Sequence, residues 1–377
     1  MNGRTATYPG YVLLLKLSLA LLVLLGTIML FSASSQISLE RYGSSNAYFL
    51  HHLQRLFMAV LLGIACYLID YRTFRKHIRL IYILTIAAVI LPFIQNMISG
   101  RSDPARWIRT GVLTIQTAEI LRFTLIIYLA TYLSSRKEEI ISYKQGLLPA
   151  LITLGIPILL IALAPDFSTA VILLLITCIV LYVGGIPLKH LLVTTLPILL
   201  GAFVYVRISD YRWNRVLVYL GKESNISGSS YQINQSLISL ANGRLTGTGL
   251  GKSMLKNLYL PEAHTDFIYS IIGEEWGFLG AGFFILLFVF IFISLIRLSM
   301  DVRDMYGKYI VFGINISFVL YALFNMGVTV GLFPVTGLPM PFVSYSGSQL
   351  LVNGALLGIL FRIIRETFNS ETVYKTY

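Results

Sequence analysis

Four carboxylates lie at the start of a long apolar segment, in the stretch LPEAHTDFIYSIIGEEWGF. They are Glu262, Asp266, Glu274 and Glu275. Carboxylates can exchange protons with a substrate or bind hard cations. Acidic side chains at membrane depth are costly to bury and are functional-site candidates by default. A Mg²⁺ or Mn²⁺ ion held by Asp266 and Glu274 is one use, although no ligand spacing in the sequence establishes it.

The neighbours of Asp266 are typical of a cavity wall. We predict a helix that begins near Thr265, a residue type suited to the N-cap, and continues to Ile296. At about 100° per residue, the face of Asp266 also carries three small residues. These are Ser270, Gly273 and Gly277. A straight helix of this length rises about 48 Å, more than the hydrocarbon thickness, so its acidic turns are predicted to border an outward-facing cavity.

The other polar residues of this stretch have simpler interpretations beside the functional one. Glu262 is explained by the helix dipole, because negative charge stabilises a helix N-terminus. Glu274 and Glu275 lie too far along the helix for that effect. Either a functional role or an ion pair with a nearby Arg accounts for them. His264 either orients a substrate or caps the helix.

Two other places put charge at membrane depth. Glu119 and Arg122 stand three residues apart, so they share a helix face and are predicted to form an ion pair. Asp166 follows a proline between two apolar segments, where helix capping explains it as well as chemistry does. Structural pairing and capping are the simpler interpretations of these three residues.

A polar segment at about residues 207–265 contains a basic, glycine-rich turn, GRLTGTGLGKS. It fails as a Walker motif because the spacing is wrong and no strand precedes it. Backbone N–H groups in such a turn can bind a pyrophosphate. A flexible loop with solvated charges is the simpler interpretation of the turn alone.

Apolar segments long enough to cross a bilayer must position all these side chains. The chain of 377 residues is 56% hydrophobic and only 12% charged, with a mean hydropathy of +0.77, which excludes a soluble globular domain. We predict an all-α, polytopic integral membrane protein with about ten transmembrane helices and one long extracytoplasmic loop between the seventh and eighth. The predicted spans are 11–33, 56–70, 78–98, 117–134, 147–164, 168–184, 188–206, 267–296, 309–331 and 346–363.

Charge placement predicts the orientation of the spans. Loops rich in Lys and Arg, such as residues 70–79 and 134–144, fall on one side if both termini are cytoplasmic. The net charge of +12 therefore reflects this topology and contact with anionic lipids, not nucleic acid. Cys66 and Cys178 lie in apolar spans, so we predict no disulfide and no thiol chemistry. No linker divides the chain, so residues 1–377 are predicted to form a single membrane domain.

Two motifs resemble a known family. GTGLGKSMLKNLYLPEAHTDFIYSIIGEEWG is similar to the Gly-rich, Leu-Pro-Glu-x-His-Thr-Asp-Phe-Ile segment of the SEDS family (shape, elongation, division and sporulation), which includes FtsW, RodA and SpoVE. VTGLPMPFVSYSGSQLL resembles its Pro-Phe-x-Ser-Tyr-Gly-Gly motif. The residues YLPEAHTDF and IIGEE are more similar to the FtsW and SpoVE branch than to RodA. This chain departs from the family at QTAE, at Arg122 where the family has Lys, at APD, and at the Ser-Gly-Ser that begins at Ser346.

The resemblance implies a peptidoglycan glycosyltransferase of the bacterial cytoplasmic membrane. Such an enzyme polymerises lipid II with undecaprenyl pyrophosphate as leaving group, beside a class B penicillin-binding protein that crosslinks the strands. Asp266 matches the family's essential aspartate and is our candidate general base. The remaining candidates, which would line the cavity or bind substrate, are Glu119, Arg122, Asp166, His264, Glu274 and Ser344, with Arg215, Arg244, Lys252 and Lys256 as cations for the pyrophosphate.

Two other functions fit parts of the pattern. A lipid II flippase would also use ten spans with intramembrane carboxylates. The long outward loop favours an enzyme, because a flippase needs binding groups that face both sides of the membrane. An assembly scaffold that only recruits a penicillin-binding protein would tolerate any change at Asp266.

Overall fold

The computed structural model describes residues 8–100, 104–109, 114–136, 139–208, 228–256 and 260–374, together with Trp213 and Leu217. These residues form a helical bundle. Its helices are α1 (Gly10–Tyr42), α2 (Ala47–Leu68), α3 (Tyr71–Lys76), α4 (Ile78–Ser99), α5 (Thr117–Ser135), α6 (Leu148–Leu163), α7 (Phe167–Val183), α8 (Leu188–Ile208), α9 (Ser229–Gly243), α10 (Ile268–Asp301), α11 (Met305–Thr329) and α12 (Gly347–Tyr374).

Within the described ranges, nine helical segments are long and apolar enough to cross a membrane, and α7 adds a shorter apolar helix of 17 residues. The predicted all-α, polytopic architecture is confirmed. The largest boundary differences are at α2, which begins nine residues earlier than predicted, and at α1 and α12, which continue beyond their apolar cores. Hydropathy could not predict these helix ends, because their residues are polar and hydropathy reports burial in lipid, not backbone conformation.

Helix α5, which carries Glu119 and Arg122, lies inside the bundle. Helix α5 packs against α4, α7 and α11, and most of its side chains from Thr117 to Leu133 are buried. Helix α1 packs along α10, and α2 packs along α12. By contrast, α2 and α4 expose most of their apolar side chains, as expected for helices that face lipid.

A short antiparallel hairpin precedes α5. Strands β1 (Trp107–Arg109) and β2 (Thr114–Gln116) pair with Ile108 opposite Ile115. Ser348, at the start of α12, accepts a hydrogen bond from the backbone N–H of Gln116 and donates one to the carbonyl of Thr114. The sequence analysis did not predict this hairpin, because its strands of three residues are too short to show an alternating pattern. The hairpin fixes the point at which α5 enters the bundle.

The segment between α8 and α10 contains a helix that was not predicted. Helix α9 packs against α10 and α11, so the segment 207–265 is not a simple loop. Ser236 donates a hydrogen bond to the carbonyl of Thr329, and Ser239 donates one to the carbonyl of Ser270. Small polar residues on one face of α9 therefore join it to its neighbours.

Helix α10 differs from the straight helix that was predicted. It begins at Ile268 after a series of turns and not at Thr265, whose hydroxyl instead donates to Glu262. It is also broken at Gly277, whose φ of 69° and ψ of −168° are non-helical. The predicted rise of one continuous helix is therefore wrong. Gly277 permits the break, because this backbone region is almost restricted to glycine.

Candidate functional site

Asp266 lies in the turns that lead into α10. Its N–H donates to the carbonyl of Glu262 at 3.1 Å, and its own carbonyl accepts a hydrogen bond from Asn325 of α11 at 2.8 Å. Asn325 also donates to the carbonyl of Leu338, so one amide joins two loops. A Cβ atom at Gly337 would stand 3.4 Å from Oδ2 of Asp266. The backbone of Asp266 is thus held in place, its carboxylate faces Gly337, and the residue as a whole is half-buried.

The environment of Asp266 changes its acidity. Burial of the carboxyl group raises its pKa to about 7, and the negative charges of Glu262 and Asp166 contribute in the same direction. A carboxyl group with a pKa near 7 is well matched to general-base chemistry, because it can be ionised at working pH and still accept a proton.

Glu119 and Arg122 form the predicted ion pair in the bundle interior. Nη2 of Arg122 lies 2.6 Å from Oε2 of Glu119, and both side chains are almost fully buried. Arg122 also donates hydrogen bonds to Ser317 at 3.1 Å and Asn353 at 2.6 Å, and its guanidinium lies over the ring of Tyr321. A planar guanidinium can reach all these groups at once, whereas a lysine ammonium cannot.

The ion pair retains unused hydrogen-bonding capacity. Within the described part of the chain, Nε of Arg122 and Nδ2 of Asn353 make no hydrogen bond. Buried donors of this kind are usually satisfied by water or a ligand. Arg122 and Asn353 therefore have free donors for a polar group that reaches this part of the interior.

Asp166 stands at the N-cap position of α7, but its side chain does not cap the helix backbone. Its Oδ2 accepts a hydrogen bond from Gln116 at 2.8 Å, and its Oδ1 accepts one from the Thr169 hydroxyl at 2.6 Å. No backbone N–H of α7 donates to the side chain, so the simple capping interpretation is wrong. Asp166 instead joins the hairpin before α5 to α7, and its charge acts on Asp266.

The glycine-rich turn docks into the break in α10. The N–H groups of Thr248 and Gly249 donate to the carbonyls of Glu274 and Glu275, at 2.9 and 3.0 Å. A Cβ atom at Gly247 would stand only 2.1 Å from the carbonyl oxygen of Glu275. These N–H groups are occupied within the protein, so the idea that the turn cradles a pyrophosphate through its backbone is not supported at these positions. The glycines serve close backbone packing.

The predicted pyrophosphate cations occupy different environments. Arg244 and Lys252 are exposed near the docked turn. Lys256 is buried: its Nζ lies 2.9 Å from Oε1 of Glu275 and 2.9 Å from the Ser32 hydroxyl of α1. Lys256 is therefore an internal counter-ion and not a free clamp. Arg215 lies outside the described residues.

Glu274 and Glu275 face away from open space. Glu275 accepts hydrogen bonds from Ser32 at 2.7 and 2.8 Å, in addition to the ion pair with Lys256, so its partner is a lysine and not the predicted arginine. Glu274 accepts hydrogen bonds from Ser239 at 2.9 Å and from Ser253. We name the set Ser32, Ser239, Ser253, Lys256, Glu274 and Glu275 the buried glutamate cluster. It connects α1, α9 and the docked turn to α10.

Asp266 and Glu274, the predicted ligands of a divalent cation, have separate surroundings in the structure. The carboxylate of Glu274 is engaged by the serines of α9 and the docked turn, whereas Asp266 faces Gly337. Among the residues that the structure describes, no group of three or more His, Cys, Asp or Glu side chains could hold a metal ion.

Replacing Lys256 by glutamine is expected to destabilise the protein by about 3–5 kcal/mol, because Glu275 would remain buried without its counter-ion. Lys252→Gln is the matched control, since Lys252 is exposed and its loss should change stability by about 0.5 kcal/mol or less. Thermal unfolding in detergent measures both. Equal stability of the two variants would show that Lys256 does not act as an internal counter-ion.

His264 and Ser344 have structural neighbours. The imidazole of His264 packs edge-on against Tyr48, with ring centroids 4.9 Å apart, and also contacts Tyr345. Burial lowers the pKa of His264, so its neutral form is favoured. It does not cap α10, which begins four residues later. Ser344 is buried, and its hydroxyl accepts a hydrogen bond from the N–H of Met340, which closes the turn before α12.

The sequence analysis missed several polar residues of this interior. They are Ser32, Gln116, Ser317, Tyr321, Asn325 and Asn353. Each is an uncharged polar residue in or beside an apolar helix. Such residues are common at helix contacts in membranes, so composition alone does not distinguish them. Asparagine within a span is the stronger signal, because its amide must find several partners.

Comparison with known proteins identifies relatives along almost the whole chain. The family model for the cell cycle proteins FtsW, RodA and SpoVE matches residues 12–369. A protein of Saccharophagus degradans named "Probable peptidoglycan glycosyltransferase FtsW" is 34% identical, over 92% of this chain and 90% of its own length. The "Stage V sporulation protein E" of Bacillus subtilis is 33% identical, over 94% of this chain and 96% of its own length.

Solved structures show the same architecture. A chain from a peptidoglycan synthase complex, described for its coordination of polymerization and crosslinking, superimposes with a TM-score of 0.74 at 25% identity, over 94% of this chain and 97% of that one. The rod shape determining protein RodA of Thermus thermophilus superimposes with a TM-score of 0.66 at 25% identity, over 97% and 99%. With its apolar helices and these relatives, the chain is a multi-pass membrane protein that belongs to the FtsW, RodA and SpoVE family of cell cycle proteins.

Proposed function

We propose that this chain is a peptidoglycan glycosyltransferase that polymerises lipid II into glycan strands, in cell division, elongation or sporulation. The observation that carries the proposal is Asp266: a half-buried residue with a fixed backbone, whose carboxylate faces Gly337 and has its pKa raised to about 7 by burial. The name given to the FtsW relatives supports the same activity.

The proposed reaction joins two lipid-linked sugars. The 4-hydroxyl oxygen of a GlcNAc attacks the anomeric carbon of a MurNAc, and the bond from that carbon to undecaprenyl pyrophosphate breaks. The hydroxyl proton passes to the Asp266 carboxylate, and the bond electrons leave with the pyrophosphate, so the anomeric configuration inverts. Asp266 increases the nucleophilicity of the hydroxyl by accepting its proton as the new bond forms.

The neighbouring charges are assigned by their exposure. Glu119, Arg122 and Asp166 are proposed to bind polar groups of the substrate within the bundle. Among the described residues, Nε of Arg122 makes no hydrogen bond. The carboxylate of Asp166 can accept further hydrogen bonds besides those from Gln116 and Thr169. Arg244 and Lys252 are exposed and are proposed to attract the pyrophosphate. Lys256 and Glu274 are omitted from substrate binding, since they belong to the buried glutamate cluster.

We also propose the cellular setting. The chain resides in the bacterial cytoplasmic membrane with both termini in the cytoplasm, in agreement with its short basic loops. It acts beside a class B penicillin-binding protein and contacts membrane lipids. The similarity to a chain of a peptidoglycan synthase complex supports a partner of this kind.

The pH dependence of polymerisation provides a specific prediction. Ionised Asp266 is the active form, so kcat/KM is expected to rise with pH through about 7 and to level off above it. Glu262→Gln removes a nearby negative charge, which favours the ionised form of Asp266. The acid limb of the profile should therefore move to lower pH in this variant.

A control separates this effect from a general change of charge. Glu40 is an exposed acid near the end of α1, and Glu40→Gln should leave the acid limb in place. If Glu262→Gln leaves the limb unchanged as well, Asp266 is not the group that titrates in the profile.

Polymerisation of purified lipid II tests the proposal directly. Full-length protein is incubated with lipid II, alone and with candidate class B penicillin-binding proteins, and glycan strands are resolved on gels. A flippase would instead move fluorescent lipid II between vesicle leaflets without forming strands. Transport without polymer, in every combination, would replace the glycosyltransferase by the flippase.

A further inference from the structure

A groove of about 590 Å³ lies between α1, α2 and α12. None of the side chains assigned above to catalysis or substrate binding lines it. Its walls are mainly apolar, with Val23 from α1, Val60 and Ile64 from α2, and Leu357 and Phe361 from α12. Val60 and Ile64 are each 50% exposed in the bundle, so they face lipid or a ligand and not the protein core.

The groove exists because α2 and α12 meet through glycines. A Cβ atom at Gly63 would stand 2.8 Å from the carbonyl oxygen of Gly354, and one at Gly358 would stand 2.1 Å from that of Gly63. The two backbones therefore touch where side chains are absent. Larger side chains on either side of this contact, such as Leu357 and Ile64, rise above it as walls.

One end of the groove is cationic. Lys16 and Arg365 line it, and each lies over an aromatic ring: Lys16 over Tyr8 at 4.2 Å, and Arg365 over Tyr67 at 5.8 Å. Lys16 is the only charged residue in the sequence from Tyr8 to Leu39. Within the described residues, neither cation has a carboxylate partner. A Lys or Arg near a helix end can extend to the membrane interface, where it can meet a lipid phosphate.

The dimensions of the groove suit a lipid chain. Tyr8, before α1, contacts Phe368, near the end of α12, with ring centroids 6.0 Å apart. The cationic end of the groove therefore lies on the side of the bundle where α1 begins and α12 ends. Along α12, the lining residues from Leu350 to Arg365 span about 22 Å. That exceeds half of the hydrocarbon thickness of about 30 Å. An acyl chain of one leaflet can therefore lie along the whole groove.

We propose that this groove binds an anionic phospholipid, with its phosphate between Lys16 and Arg365 and an acyl chain along Val60, Ile64 and Leu357. Apolar walls match the acyl chain. The two cations, which have no carboxylate partner in the described part of the chain, match the anionic headgroup. A transmembrane helix of a partner protein fits less well, because an apolar helix would cover both cations without neutralising them.

Native mass spectrometry of the full-length protein tests this binding. Dioleoyl phosphatidylglycerol and dioleoyl phosphatidylcholine share the same chains and differ in charge, so they serve as probe and control. We expect a preference for phosphatidylglycerol that falls about fivefold for each cation removed in Lys16→Gln and Arg365→Gln. Lys76 of α3 is an exposed cation on the same side of the bundle but outside the groove. Lys76→Gln should therefore leave the preference unchanged.

A second variant tests the walls. Ile64→Trp places a large ring in the groove from a half-exposed position, so it should reduce the binding of both lipids without unfolding the protein. Equal binding of the two lipids by the unmodified protein would overturn the proposal. So would an equal loss of preference in Lys76→Gln, or a photo-crosslinker at Val60 that labels a second protein in cells instead of phospholipid.

Discussion

Asp266→Asn is expected to reduce the polymerisation of lipid II by a factor of about 10² to 10⁴, the usual contribution of a positioned general base. Asparagine keeps the shape of the side chain and the backbone contacts with Glu262 and Asn325. It cannot accept the hydroxyl proton. Glycan output from purified lipid II, measured for both proteins with the same partner, checks the expectation.

The stability of this variant distinguishes a chemical role from a structural one. The pKa of Asp266 is raised in the folded state, so ionisation of this group opposes folding. The stabilising contribution of protonated Asp266 is therefore complete below the unfolded pKa of about 3.9, and it is lost as the pH rises through about 7. At pH 8, Asp266→Asn should unfold at the same temperature as the unmodified protein, or higher. Normal glycan output from this variant would exclude Asp266 as the base.

Gly277→Ala is expected to destabilise the protein by about 2–5 kcal/mol. Alanine at a positive φ costs about 1–2 kcal/mol, and the overpacking adds about 1–3 kcal/mol. The new Cβ atom would stand 2.4 Å from the N atom of Gly247 and 2.5 Å from the carbonyl oxygen of Leu245. Because these are backbone atoms of the docked turn, the contact cannot be relieved by rotating a side chain. The turn would have to leave the break in α10.

Gly282→Ala is the matched control for this prediction. Gly282 lies in the same helix, and a Cβ atom there would meet nothing within 4 Å. Alanine should be neutral at this position or stabilising by up to about 1 kcal/mol. Thermal unfolding and the yield of monodisperse protein measure both variants. If the two behave alike, the docked turn does not hold the break in α10.

The membrane-spanning helices of this protein could be predicted from sequence, but most contacts of its polar residues could not. Hydropathy located each predicted span because lipid demands long apolar runs. The spacing of Glu119 and Arg122 predicted their ion pair correctly, since residues three apart share a helix face. The predicted partner of Glu275, an arginine, was wrong. The actual partner, Lys256, lies in a separate segment, and no local rule relates a loop residue to a helix interior.

The glycine-rich turn shows the same limit. Its composition suggested a phosphate cradle, because free N–H groups and glycines are shared by cradles and by close backbone contacts. Only the structure shows that Thr248 and Gly249 donate to carbonyls freed by the break at Gly277. The break itself could not be predicted, because a glycine within an apolar span is usually compatible with a continuous helix.

The order of the buried glutamate cluster along the chain has a consequence for biogenesis. Every partner of Glu274 and Glu275 in this cluster precedes them in sequence: Ser32, Ser239, Ser253 and Lys256. A ribosome delivers the N-terminal segments first. When α10 leaves the insertion machinery, the groups that neutralise its two acids have already been synthesised. The carboxylates of the nascent helix can therefore be paired as soon as the helix enters the lipid. A chain truncated before α10 would leave Lys256 without its counter-ion.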